Sequence, residues 1–173
     1  MVSKTLTLFD FSEGMDGKAW VPVDDVVMGG VSRSAFGVAA GGMGVFEGML
    51  SLEQGGGFAS IRSRPAEIDL SPYDGVEIRV RGDGKRYRLR LRTETYPGGV
   101  AYQVSFETQA GVWQLIRVPF ERFRPTFRGR AVPDAPPLDV SSIRSFGWMI
   151  ADKQAGAFRL EIDWVRAYAE DEG

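Results

Sequence analysis

The sequence predicts an all-β fold, an antiparallel β-sandwich of the jelly-roll type. Apolar and polar residues alternate with a period of two, and no stretch shows convincing helical spacing. The alternating runs are short, and 22 glycines and 9 prolines supply turn residues between them. Many short strands joined by frequent turns are typical of sandwiches and jelly rolls.

The clearest local pattern lies in the middle of the chain. Apolar and charged residues alternate over 76–81 and again over 86–92, on either side of the turn Gly82-Asp83-Gly84. This arrangement predicts a β-hairpin with one buried face. Tyr102, Trp148 and Trp164 fall in phase with apolar residues of other runs, so we expect these rings in the core.

Weaker patterns predict the other strands and the domain limits. The further predicted strands are Thr5–Asp10, Ala19–Pro22, Ser32–Val38, Met43–Phe46, Met49–Leu52, Phe58–Ser63, Tyr102–Phe106, Gln114–Phe120, Phe146–Ile150 and Phe158–Trp164. A long loop is expected from Arg124 to Asp139 because the segment is rich in arginine and then proline. We expect an N-terminal tail over 1–4, a single jelly-roll domain over 5–169 and an acidic tail over 170–173.

The composition excludes several classes of function. The chain has no cysteine and no histidine, so it has no thiol nucleophile, no zinc-thiolate site and no imidazole base. A net charge of -2 argues against a general nucleic-acid binder. We therefore predict a non-catalytic protein without a cofactor or metal. No apolar segment has the length of a membrane span or the form of a secretory signal, so we expect a cytoplasmic protein without membrane insertion.

Several short motifs, in a fixed order, resemble a known family. They begin with Val23–Ser32, which reads VDDVVMGGVS. The others are Phe46–Gly48, Gly56–Arg62, Tyr73–Gly75, Arg81–Tyr87, Tyr102-Gln103, Trp113-Gln114, Pro119-Phe120, Phe127–Arg130, Asp152–Gln154 and Phe158–Asp163. Together they resemble the complex I intermediate-associated protein 30 family. The resemblance implies a jelly roll like that of galactose-binding and carbohydrate-binding modules, and a scaffold or assembly-factor role. Asp24 and Gln54 stand where many relatives carry asparagine.

A row of arginines is the most distinctive candidate site. On the predicted hairpin, Arg79, Arg81, Arg88, Arg90 and Arg92 lie on the face opposite the apolar residues. Like charges across a sheet repel, so this face requires anions. One interpretation supplies them internally. The candidate carboxylates are Glu77, Glu94, Glu107, Glu161 and Asp163. The other is an anionic ligand or an acidic partner surface held by bidentate arginines.

Further polar residues complete the candidate set. Arg62, Gln103 and Glu107 are candidate contacts of the same partner or ligand. Asp24 and Asp25, close to a pair of glycines, either hold a hard cation or cap a tight turn. The sequence thus predicts a protein-interaction module whose partner has an acidic surface. The alternative is a carbohydrate or small anionic ligand on the concave sheet face, and sugar binding would require exposed aromatic rings.

Overall fold

Two antiparallel β-sheets face each other in this computed structural model, which describes residues 4–11, 20–22, 33–39, 41–52, 57–93, 100–127 and 130–170. The six-stranded sheet has the order β3-β4-β13-β6-β9, with β1 also paired to β13. Its strands are β1 Lys4–Asp10, β3 Arg33–Ala39, β4 Met43–Leu50, β6 Gly75–Arg81, β9 Trp113–Pro119 and β13 Gly156–Ala169. The predicted β-sandwich is confirmed.

The seven-stranded sheet has the order β11-β10-β8-β7-β12-β5-β2. Its strands are β2 Trp20–Pro22, β5 Ala59–Ser63, β7 Arg86–Thr93, β8 Ala101–Glu107, β10 Arg124–Phe127, β11 Arg130–Ala131 and β12 Ile143–Ile150. The described residues contain no α-helix, and none of their segments is a helix able to cross a membrane.

Large aromatic side chains fill the space between the sheets. Trp148, Tyr87 and Tyr102 are among the largest fully buried residues. The rings of Phe106 and Trp148 meet edge to face with centroids 6.1 Å apart, a favourable geometry for aromatic pairs. The predicted core positions of Tyr102 and Trp148 are confirmed, because alternate residues of each strand point between the sheets.

The predicted hairpin is wrong. The strand before the Gly82-Asp83-Gly84 turn, β6, lies in the six-stranded sheet, whereas β7 lies in the seven-stranded sheet. The two strands therefore stack across the core instead of pairing by hydrogen bonds. Both arrangements bury the same alternate residues, so the alternating pattern cannot distinguish them. Asp83 joins the sheets, since its side chain accepts hydrogen bonds from the Tyr87 hydroxyl at 2.9 Å and the Arg159 N–H at 2.9 Å.

Three other segments differ from the sequence prediction. A register shift between Ile162 and Trp164 moves Trp164 out of the core phase. Its ring lies 3.8 Å from the Arg166 guanidinium instead. The two strands predicted within 43–52 are one continuous strand, β4, because every residue of β3 pairs along it. The expected loop from Arg124 contains β10 and β11, since β10 pairs with the otherwise free edge of β8.

Candidate functional site

The predicted row of arginines is divided between two surfaces. Arg79 and Arg81 lie on β6, on the outer face of the six-stranded sheet. Arg88, Arg90 and Arg92 lie on β7, on the outer face of the seven-stranded sheet. Because the two sheets pack through their inner faces, these surfaces are on opposite sides of the molecule. They must therefore be considered separately.

The arginines of the six-stranded sheet have carboxylate partners within the chain. Arg79 donates to Asp163 at 2.8 Å, and Arg81 donates to Glu161 at 2.6 Å. Both guanidinium groups also lie over the Trp113 ring, at 4.5 and 4.8 Å from its centroid. On this face the charges are neutralised internally, as the first of the two interpretations predicts.

The same lattice extends along β13 and β9. Arg159 contacts Glu47 at 2.6 Å and Glu161 at 3.2 Å, and the hydrogen bond to Glu161 raises the pKa of Arg159. Arg117 donates to Glu77 at 3.2 Å. Such pairs contribute little stability individually when exposed to water. Their importance here is that they leave the outer face of this sheet with few uncompensated charges.

On the seven-stranded sheet, a glycine separates two arginines. Gly147 of β12 pairs in register with Arg90 of β7 on one side and with Arg62 of β5 on the other. Gln103 of β8 is the next partner of Arg90 in the same row. Directly paired residues project from the same face, and two strand spacings place the Cα atoms of Arg62 and Arg90 about 10 Å apart. The two arginines therefore flank a position that has no side chain.

We call Arg62, Arg90 and Arg92 the arginine cluster. Arg92 follows Arg90 on the same face of β7, about 7 Å along the strand. Arg90 is only 9% exposed although it points away from the core, and Arg62 and Arg92 are half-buried, so other groups surround this part of the outer face, which we call the recess. The Nε atoms of all three, like that of Arg88, are buried without a hydrogen-bond partner. Among the described residues, no carboxylate forms an ion pair with any member of the cluster.

Burial and mutual repulsion both act on these guanidinium groups. Burial, followed by the charges of Arg62 and Arg88, lowers the pKa of Arg90 to about 10. Burial and the charges of Arg62 and Arg90 lower the pKa of Arg92 to about 9. Burial also lowers the pKa of Arg62. A bound anion would raise these pKa values again, because it stabilises the charged guanidinium groups, which lose contacts with water on burial.

Arg88 stands apart from the cluster because it has a carboxylate. Its Nη2 donates to Asp152 at 2.5 Å. Asp152 and Lys153 have φ values of 62° and 59°, so the turn that presents the carboxylate adopts the left-handed region at two consecutive residues. The side chain of Gln154 anchors this turn by bonding both the N–H and the carbonyl of Arg86 at 2.8 Å.

The remaining predicted residues are placed as follows. Glu107 pairs with Arg86 at 2.9 Å on an exposed part of the surface, one strand away from the arginine cluster. Gln103 borders the cluster through its register with Arg90. Asp24, Asp25 and the candidate carboxylate Glu94 lie outside the described residues. The described residues contain no group of three or more acidic, histidine or cysteine side chains able to hold a metal ion.

Sequence reasoning missed Gly147 and Ser145, which form the β12 side of the recess. Ser145 is 4% exposed and pairs in register with Arg92. A glycine within the alternating run Phe146-Gly147-Trp148 was the available signal, because glycine inside a strand often marks close approach by another group.

The aromatic rings of the central strands of the seven-stranded sheet, β7, β8 and β12, point into the core. On the edge strand β10 the ring of Phe127 is 40% exposed. Tyr87, Tyr102, Phe106, Phe146 and Trp148 are all buried between the sheets. The described strands around the arginine cluster therefore lack the stacking ring that sugar recognition requires.

Relatives of this chain are found among curated proteins. Complex I intermediate-associated protein 30, mitochondrial, of Drosophila melanogaster is 28% identical over 94% of this chain and 62% of the relative. The Mus musculus protein of the same name is 26% identical over 98% of this chain and 58% of the relative. An uncharacterized protein of Schizosaccharomyces pombe is 30% identical over 94% of this chain and 83% of the relative. The chain thus spans about three fifths of the length of the fly and mouse proteins.

Solved structures with a similar fold include carbohydrate-binding modules. A family 11 module from Clostridium thermocellum, solved with a mixed-linked tetrasaccharide, superposes with a TM-score of 0.74 at 18% identity and covers 99% of this chain and 98% of that module. The family 11 module of a C. thermocellum cellulase has a TM-score of 0.74 at 16% identity and full coverage of both chains. At these identities the similarity shows the jelly-roll fold alone.

The expected cytoplasmic location is wrong. The fly, mouse and Neurospora crassa relatives are named mitochondrial proteins. The expectation depended on the lack of a secretory signal, and that lack does not distinguish the cytoplasm from the interior of an organelle.

A family profile described as Complex I intermediate-associated protein 30 matches residues 9–162. This match covers most of the chain and includes every strand that forms the arginine cluster. This chain therefore belongs to the Complex I intermediate-associated protein 30 family.

Proposed function

We propose that this chain is a non-catalytic interaction module that takes part in assembling a protein complex. Its relatives carry names that associate them with intermediates of complex I. The sequence similarity extends over nearly the whole described sandwich. In this proposal the arginine cluster is the contact surface, and an acidic group of the partner supplies its missing negative charge.

The observation that carries the proposal is the contrast between the two sheets. Arg79 and Arg81 have carboxylates within the chain, whereas Arg62, Arg90 and Arg92 have none among the described residues. A buried charge without an ion pair is unfavourable. A partner protein that places an acidic group against it therefore gains binding free energy from that contact. Arginine is also enriched among the residues that dominate protein interfaces.

The chemistry of the cluster supports binding over catalysis. The pKa values of Arg90 and Arg92 are about 10 and 9, so both groups remain protonated at neutral pH. A protonated guanidinium donates hydrogen bonds but cannot accept a proton as a general base. The chain has no histidine or cysteine to supply that role. The cluster is therefore suited to holding an anion in place.

Cross-linked capture in the organism's own cells tests the proposal. We would compare the tagged chain with Arg90→Met, using Arg79→Met as the matched control on the internally paired face. Mass spectrometry should recover complex I subunits or their assembly intermediates with the unsubstituted chain and with Arg79→Met, and at least several-fold less with Arg90→Met. Recovery of no complex I component, or equal recovery with all three chains, would overturn the proposal.

A further inference from the structure

We propose that the arginine cluster binds a phosphomonoester group. This inference rests on the proposed function, because it names the chemistry of the anion through which the partner is recognised. It follows from three features of the recess: the number of its unpaired cations, their arrangement around Gly147, and the donor character of the neighbouring residues.

The charge of the cluster is too large for a single carboxylate. Arg62, Arg90 and Arg92 together contribute three positive charges and have no described carboxylate partner. A carboxylate carries one negative charge, whereas a phosphomonoester carries about 1.5 to 2 at neutral pH. Arg88 provides an internal comparison, because its contact with the single carboxylate of Asp152 gives that guanidinium an ionic partner. One carboxylate in the recess would leave most of the excess charge uncompensated.

The positions of the three arginines suit a tetrahedral group. Arg62 approaches from β5, on one side of Gly147, while Arg90 and Arg92 approach from β7 on the other. The charge of Arg62 lowers the pKa of both Arg90 and Arg92, so the repulsion among the three groups acts across Gly147. A phosphoryl group offers three terminal oxygens to separate donors, whereas the planar carboxylate matches a single guanidinium fork.

Residue 147, between the arginines, has no side chain and little room for one. A Cβ atom added there would lie 3.0 Å from the Ile61 carbonyl oxygen and 3.9 Å from the Cβ of Arg90. Ser145 and Gln103 are in register with Arg92 and Arg90, so a hydroxyl and an amide border the same recess. Both can donate hydrogen bonds to phosphate oxygens.

Isothermal titration of the purified chain with inorganic phosphate is the first test. Acetate at the same ionic strength serves as the monovalent comparison. We expect one saturable site for phosphate, with affinity at least about tenfold above that for acetate. Affinity should also rise by about tenfold between pH 5 and pH 7, as phosphate becomes a dianion. No measurable phosphate binding, or equal affinity for acetate, would overturn the inference.

Variants connect the binding to the recess. Arg90→Met should weaken phosphate binding by about tenfold or more, because it removes a charged donor. Gly147→Ala should also weaken binding at least several-fold, although all three arginines remain. Arg79→Met, on the opposite sheet, should change affinity by less than about twofold. If Arg90→Met binds phosphate as tightly as the unsubstituted chain, the proposed site is wrong.

Two ligands distinguish the source of the group, and the capture experiment separates this inference from the proposed function. A phosphoserine peptide that binds more tightly than glycerol phosphate identifies a phosphorylated protein as the source, and the reverse order identifies a small phosphomonoester.

If complex I components are captured in an Arg90-dependent way but the chain binds no phosphate, only the phosphomonoester inference is overturned. Phosphate binding that depends on Arg90, with capture unaffected by Arg90→Met, overturns only the protein contact.

Discussion

Replacing Arg90 with methionine should stabilise the isolated protein. Methionine keeps an unbranched apolar stem of similar length but removes the charge, which has no ion pair among the described residues. Most core substitutions destabilise a protein. A gain in stability would therefore be a specific sign that the charge is retained for binding.

The size of the effect follows from the guanidinium pKa. Burial and neighbouring charges lower the pKa of Arg90 from the ordinary arginine value to about 10. Each tenfold change in proton affinity corresponds to about 1.4 kcal/mol, so the charged group costs about 3 kcal/mol in the folded state. Because the folded-state pKa is the lower one, this penalty is complete below pH 10 and disappears as the pH rises towards the ordinary pKa of arginine. Lost packing of the arginine stem reduces the expected gain to about 1–3 kcal/mol.

Urea denaturation at pH 7.5 in a low-salt buffer without phosphate measures the change in the free energy of unfolding. The melting temperature should rise by roughly 2–12 °C, since about 2–4 °C corresponds to 1 kcal/mol for a chain of this size. Arg79→Met is the matched control and should destabilise the protein by about 1 kcal/mol or less, because Arg79 has its own carboxylate, Asp163. A loss of stability for Arg90→Met exceeding that of the control would show that the Arg90 charge is already compensated.

Three further substitutions test the electrostatics and the packing. Arg92→Met should stabilise the protein most below pH 9, because the lowered pKa of Arg92 is about 9. The difference in the free energy of unfolding between the variant and the unsubstituted chain should shrink as the pH rises above 9. Urea titrations from pH 7 to 10.5 would show this trend, and a difference that does not change with pH would contradict it. Trp148→Ala should lower the free energy of unfolding by about 3–5 kcal/mol, since the ring is fully buried. Gly82→Ala should cost about 1–3 kcal/mol, because the added Cβ would lie 2.4 Å from the Thr108 side chain. Unchanged urea midpoints would refute the packing described for either residue.

The periodicity of the sequence was sufficient to predict the fold class and most of the core. Trp148 and Tyr102 follow the alternation of their strands into the core, because a regular strand has a side-chain period of two. The same logic failed at Trp164, where the register shift in β13 interrupts the period. It also failed for the pairing of β6 and β7, since alternation identifies the buried face of a strand but not the strand beside it.

The site was only partly predictable for a related reason. Arg90 and Arg92 were identified as outward residues from the phase of a single strand. Their relationship to Arg62 and Gly147 depends on the order of β7, β12 and β5, which are separated by long stretches of chain. The pairing of Arg79 with Asp163 likewise connects residues 84 positions apart. Strand phase alone therefore could not determine which arginines pair with a carboxylate of the described residues.

The uneven distribution of carboxylates is the strongest argument that the arginine cluster has a function. The chain contains 23 acidic and 21 basic residues, so it is not short of negative charge. Its six-stranded sheet places Asp163 against Arg79, and even Arg88, next to the cluster, has Asp152. Selection for stability alone would favour a carboxylate or an apolar residue at Arg90, because either would relieve a desolvated charge. Proteins retain such unfavourable groups where binding requires them, and three outward arginines placed around a glycine are suited to that requirement.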